Sequence, residues 1–170
     1  MLKNRNQGIT LTELLTVISI IGILASIAVI NMTQYIERTK LRSAIEKLEA
    51  DIRRARWLAR TTSKKSVINF YPADNSYTIN GTYYARIADG IRFGVDAGVK
   101  GTPSDPYNPP PLDGVTFDRW NRAYFYPTGV VTPTGTIFLT DNKETMAITV
   151  AITGRPKVWR HTGGRRWAPM

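Results

Sequence analysis

The stretch Ile9–Ile30, ITLTELLTVISIIGILASIAVI, decides how the rest of the chain is read. It carries a single formal charge, Glu13. At about 1.5 Å of rise per residue, a helix of this length crosses the roughly 30 Å hydrocarbon core of a bilayer. A secretory signal would have a shorter apolar region closed by small residues at its cleavage site, whereas this run continues into charged helical sequence. Lys3 and Arg5 precede it, so the positive-inside tendency places the N-terminus in the cytoplasm and the remainder outside. Glu13 has to be accommodated, because an ionised side chain inside a membrane helix costs about 2.5–3.5 kcal/mol on an insertion scale. Two solutions stay open: the carboxylate reaches headgroup water near the helix end, or it pairs with a neighbouring cation.

Beyond Asn31 the pattern stays helical but becomes amphipathic. Leu41, Ile45, Leu48, Ile52, Ala55 and Ala59 recur at alternating steps of four and three, which predicts one apolar stripe on a helix over 31–62. Arg38, Lys40, Arg42, Lys47, Arg53, Arg54 and Arg56 occupy its other face, with Glu37, Glu46 and Glu49 available for local pairs. That face is either a solvated surface or one attracted to anionic headgroups or an acidic neighbour.

From Ser66 onward the period changes to alternation. Strands are expected at Val67–Tyr71, Tyr77–Asn80, Ile91–Val95, Val115–Asp118, Ala123–Tyr126, Thr136–Thr140, Thr145–Ile152 and Lys157–Arg160. Asn80-Gly81, Asp141–Glu144 and the Pro72, Asp74, Asn75 cluster supply turn signals. The segment 102–114, with Pro103, Pro106, Pro109, Pro110 and Pro111, reads as an extended loop that either connects strands or recognises a partner. The fold class is therefore α+β: a long N-terminal helix, half transmembrane and half amphipathic, packed on an antiparallel β-sheet head over 63–170. A chain of 170 residues leaves room for a single head beside the membrane segment.

Cysteine is absent, which excludes disulfides and thiolate metal sites. The one histidine, His161, has no nucleophile or carboxylate at a suggestive spacing, and no calcium-loop pattern or phosphate-cradling glycine loop occurs. No catalytic residue, metal site or cofactor is expected. The net charge of +10 is uneven. Residues 154–170, GRPKVWRHTGGRRWAPM, carry five cations and no acid. Arg155, Lys157, Arg160, Arg165 and Arg166, interleaved with Trp159 and Trp167, suit phosphate contacts and stacking on unpaired bases. In the alternative reading Val158 and Trp159 close the last strand and the remainder, loosened by Gly163 and Gly164, is a solvated terminus.

Taken together, MLKNRNQG and the apolar run after it closely resemble the prepilin-type (class III) signal of type IV pilins and pseudopilins. The resemblance implies cleavage by a prepilin peptidase between Gly8 and Ile9, methylation of the new Ile9 amine, and an assembly role for Glu13, the fifth mature residue. The free ammonium of Ile9, or of a neighbouring subunit, would then pair with Glu13. The chain departs from the family pattern in having Ile9 where phenylalanine is usual, and Val29-Ile30 where many members carry proline. The segments WLARTTSKKSVINFY, IRFGVD, FDRWNRAYFYPTGVV and ITVAITGRPKVWR look like the GspH/FimT branch of minor pilins and pseudopilins. That implies a structural subunit, not an enzyme, that helps initiate or cap a type IV pilus or type II secretion pseudopilus. Its partners would be other pilin subunits, the prepilin peptidase and an inner-membrane assembly platform. Its location would be the bacterial inner membrane, single-pass with a periplasmic head, and then the filament. The alternative is a DNA-binding minor pilin of a competence pilus. Gly154-Arg155 matches the branch's Gly-Arg pattern, but Lys157 stands where DNA-binding members have a second arginine and so lacks the planar fork.

Overall fold

The computed structural model describes residues 10–170, with side chains described for 10–25 and 39–170. The leader 1–8 and Ile9 lie outside the described residues. A single α-helix, α1, runs from Leu11 to Thr61. Thr10 caps its start: the Glu13 backbone N–H donates to the Thr10 hydroxyl at 3.2 Å, in the spacing of a capping box. No proline precedes Pro72, so nothing interrupts the ladder. At the far end Thr61 and Thr62 donate their hydroxyls to the carbonyls of Trp57 and Leu58, at 3.0 and 2.7 Å, and Ser63 leaves the helix at φ 52°.

The chain divides into two units, Met1–Thr39 and Lys40–Met170. Among the described residues no helix is long and apolar enough to cross a membrane. The span expected over Ile9–Ile30 begins at an undescribed residue and passes into side chains that are not described, and its described part is shorter than the roughly 20 residues a crossing needs.

In the second unit the predicted stripe is the core. Leu41, Ile45, Leu48, Ile52, Ala55 and Ala59 are each at most 2% exposed. Burying a leucine or isoleucine side chain stabilises by about 1.5–3 kcal/mol, so this face docks the helix firmly. It meets two antiparallel sheets. The first has the order β3-β2-β1-β5-β6, with β1 Ser66–Tyr71, β2 Ser76–Ile79, β3 Tyr83–Arg86, β5 Arg122–Phe125 and β6 Val131–Thr132. The second runs β10-β9-β8-β7-β4, with β4 Arg92–Phe93, β7 Gly135–Thr140, β8 Thr145–Val150, β9 Pro156–Gly163 and β10 Arg166–Pro169. Ile68, Phe70 and Ile79 from one sheet and Ile137, Leu139, Ile148 and Val158 from the other share one cluster with the helix stripe. The fold is α+β, a helix packed on antiparallel sheets.

One polar residue interrupts that stripe. Asp51 is 7% exposed and accepts hydrogen bonds from the Tyr77 hydroxyl at 2.6 Å and the Tyr83 hydroxyl at 3.2 Å, tying α1 to β2 and β3. Burial, then the Asp51 hydrogen bond and charge, pushes the Tyr77 phenol far above its usual range. The Tyr83 phenol is raised by the same causes and partly lowered again by Arg54, whose guanidinium lies 4.7 Å from its ring centre.

Three strands are not anticipated by the alternation pattern: β3, β6 and β10. The first follows the Asn80-Gly81 turn, where φ values of 53° and 70° supply the left-handed pair that a tight hairpin requires. Conversely, the strand expected at Val115–Asp118 reduces to one bridge between Val115 and Ile137. Asp118 diverts the backbone there, because its carboxylate accepts from the N–H groups of Trp120 and Arg122 at 2.9 and 2.8 Å, bonds that compete with a ladder. The C-terminus also differs from a loose solvated tail. Gly163 and Gly164, at φ 115° and 62°, turn β9 into β10, and the two strands pair from Trp159 to Pro169. The segment before β5 secures this hairpin, since Trp167 donates its indole N–H to Gly101 O at 3.0 Å and Lys100 N–H donates to Gly164 O at 2.9 Å.

Candidate functional site

Of the expected processing and assembly residues, Gly8 and Ile9 lie outside the described residues. Glu13 is exposed in the first turn of α1, where a negative side chain complements the positive helix end.

The six tail residues singled out for phosphate and base contacts do not form one cluster. On β9, Lys157 and Trp159 share the face opposite Val158, and the Lys157 ammonium lies 4.2 Å from the Trp159 ring centre. The Trp159 indole N–H is buried without a hydrogen-bond partner among the described residues. Arg160 is exposed on the alternate face, opposite Met146 and Ala168. Arg165 lies over the Tyr107 ring at 5.3 Å, and Arg166 is exposed at the hairpin turn. His161 is structural: its Nε2 is 3.1 Å from Gly164 O and its ring centre is 5.1 Å from that of Trp167.

Arg155 is placed differently. It lines a cavity of about 660 Å³ at the C-terminal end of α1, together with Arg53, Arg56, Trp57, Arg60, Thr61 and Pro156. Two glycines let the chain close on the helix. Gly154, at φ 69°, sits so near that an added Cβ would strike the Gly129 carbonyl oxygen and come within 3.1 Å of the Arg56 side chain. Gly129, at φ 85°, accepts a hydrogen bond from Arg56 Nε at 3.2 Å. The Gly154-Arg155 step thus delivers one more guanidinium to a face that already has three, and no carboxylate lines the cavity. Arg53, itself exposed, does hold the partly buried Glu49 at 2.6 Å one turn back along the helix.

Sequence reasoning missed this arrangement and missed Trp57, which is 61% exposed. The signal was present: Arg53, Arg56, Trp57 and Arg60 stand at i, i+3, i+4 and i+7, the spacing of one helix face. Among the described residues no group of three or more His, Cys, Asp or Glu side chains could hold a metal ion.

Residues 3–29 match the family model of the prokaryotic N-terminal methylation motif. The chain carries a prepilin-type signal. The match covers the leader and apolar run and stops short of the amphipathic half of α1. No curated protein matches the chain. Among solved structures, the type IV minor pilin FimU of Pseudomonas aeruginosa is similar at 16% sequence identity and a TM-score of 0.48, covering 76% of this chain and 98% of that one.

Proposed function

We propose that the chain is a minor pilin or pseudopilin of the GspH/FimT type, a structural subunit that helps initiate or cap a type IV pilus or a type II secretion pseudopilus. The observation that carries this reading is continuity: the methylation motif spans residues 3–29, and the helix it enters runs unbroken to Thr61. Prepilin peptidase cuts between Gly8 and Ile9 and methylates the Ile9 amine. Glu13 then balances that ammonium or the one on the next subunit, removing net charge from apolar surroundings. Before assembly the apolar run holds the chain in the bacterial inner membrane, N-terminus in the cytoplasm and head in the periplasm, within reach of the assembly platform. Afterwards the same run packs among other pilin subunits. Intact-mass measurement of the protein recovered from filaments tests this: the expected species starts at a methylated Ile9, and functional protein that retains Met1–Gly8 would refute it.

A second reading, capture of extracellular DNA, is favoured by the exposure of Arg155, Lys157, Arg160, Arg165 and Arg166 in a segment without acids. DNA bound through phosphates weakens uniformly across sequences and steeply with salt. Titration of the full chain with DNA at two salt concentrations, against a variant with those five residues changed to Ala, tests it. Equal affinity of the two proteins removes these residues from DNA binding.

A further inference from the structure

We propose that the cavity at the C-terminal end of α1 is a seat for single-stranded nucleic acid, in which Arg53, Arg60 and Arg155 hold backbone phosphate and Trp57 stacks on an unpaired base. This rests on the DNA-binding reading and moves its site from the C-terminal segment to the helix end. Guanidinium groups stay charged at every physiological pH and present paired donors to phosphate oxygens. Four of them converge here around about 660 Å³, within the size range of small-molecule sites, and the lining includes no carboxylate. Such convergence repels itself, so it is tolerable only where solvent or an anion screens it.

The end of a helix is its negative pole, which ordinarily disfavours an anion. Two features offset that. The hydroxyls of Thr61 and Thr62 occupy the carbonyls of Trp57 and Leu58, and Arg60 sits in the last turn. Arg53 is exposed but holds the partly buried Glu49 carboxylate at 2.6 Å, so a phosphate at the cavity shares or competes for this guanidinium with Glu49. Arg56 is the fixed member, held by Gly129 O and packed under Gly154.

Trp57 selects the form of the ligand. It is a large aromatic, 61% exposed, lining the same cavity as the four arginines. Cations beside an exposed aromatic face are the arrangement that binds single strands, whose bases are free to stack. A duplex keeps its bases stacked on each other and offers Trp57 nothing. Along the C-terminal segment, by contrast, Lys157 already lies over Trp159 and Arg165 over Tyr107.

The test uses the full chain in nonionic detergent, with fluorescence anisotropy of a labelled twelve-nucleotide oligothymidine, the same length of duplex, inorganic phosphate as competitor, and phosphatidylglycerol vesicles in a separate arm. The variants are Trp57→Ala, a combined Arg53→Ala, Arg60→Ala and Arg155→Ala, and a combined Lys157→Ala, Arg160→Ala, Arg165→Ala and Arg166→Ala; because these remove the Arg53–Glu49 pair and the Lys157 and Arg165 ring contacts, thermal unfolding of each variant checks the fold. Trp57→Ala is expected to weaken oligothymidine about ten-fold and leave duplex binding unchanged. The triple arginine variant should lower the salt slope by about two, from roughly 0.7 per phosphate contact on a single strand. If both bind oligothymidine like the parent while the Lys157 variant loses it, the cavity is refuted and DNA binding stands. If the parent binds no DNA, both fall. Vesicle binding that depends on these arginines, without oligothymidine binding, identifies a lipid phosphate as the ligand and overturns the proposal.

Discussion

The hydrogen bond between Asp51 and Tyr77 gives a sharp test of how the helix is fixed to the head. Tyr77 is 1% exposed and its hydroxyl donates to Asp51 Oδ2 at 2.6 Å, while Tyr83 donates to the same oxygen at 3.2 Å. A hydrogen bond to a charged group contributes about 1.5–3 kcal/mol, so Tyr77→Phe should cost about that much. Asp51→Ala should cost at least as much, because it orphans a buried hydroxyl, itself a penalty of about 1–3 kcal/mol, and deprives Tyr83 as well. In the double variant no hydroxyl is orphaned at position 77 and no carboxylate is buried, so the two losses overlap. The combined cost should then fall below the sum of the singles by about 1.5–3 kcal/mol. Urea unfolding of the full chain in nonionic detergent, followed by near-UV circular dichroism, measures all three. Losses that add to within about 0.5 kcal/mol would show that Asp51 and Tyr77 act independently, and the account of the anchor would be wrong.

The raised Tyr77 phenol gives a pH dependence whose sign is fixed. Below about pH 10 both folded and unfolded Tyr77 keep the proton; above it the unfolded phenol ionises first, so stability falls by up to about 1.4 kcal/mol per pH unit, and Tyr77→Phe should flatten that alkaline decline in urea midpoints. Leu48→Ala removes a fully buried side chain from the centre of the stripe and should cost about 2–5 kcal/mol in the same assay. Gly154→Ala forces an L side chain to φ 69° against the Gly129 carbonyl and should destabilise by at least about 1 kcal/mol, with protease susceptibility rising first around residues 127–130 and 151–156. Thr10→Ala, which removes the acceptor for the Glu13 N–H, should lower the helicity of the N-terminal turn and leave head stability unchanged, as read by hydrogen exchange.

The helix and its docking face were legible because both follow from periodicity alone. Leu41 to Ala59 recur every three or four residues, and a stripe of that kind has to be covered by something. Alternation likewise located β1, β2, β7 and β8, whose inner faces are continuous apolar sets. It failed where pairing rather than pattern makes the strand. β6 is two residues long, and β3 carries Tyr84 and Arg86 outward, so neither offers enough alternation to register. The division of the strands between two sheets was not legible either: β4 pairs with β7 across more than forty intervening residues, and nothing local to Arg92 and Phe93 specifies that partner. Asp51 is the same problem in miniature. An acid on an apolar stripe announces a partner, but not which of eight tyrosines provides it.

The candidate site divides along the same line. The leader, Glu13 and the apolar run form one contiguous signal, and a family model of local sequence accordingly matches residues 3–29. The basic C-terminus also reads as one contiguous signal, but the structure spreads its cations over different faces. A strand sends neighbouring side chains to opposite faces, so five cations within twelve residues are dispersed as soon as that segment pairs. Helical spacing does the reverse: Arg53, Arg56, Trp57 and Arg60, spread over two turns, stand on one face. Arg155 joins them only because two glycines, at 129 and 154, permit a close approach that no spacing rule encodes. Charges a few residues apart in sequence therefore gather on one face when the segment is helical at this spacing, and disperse to opposite faces when the segment is a strand.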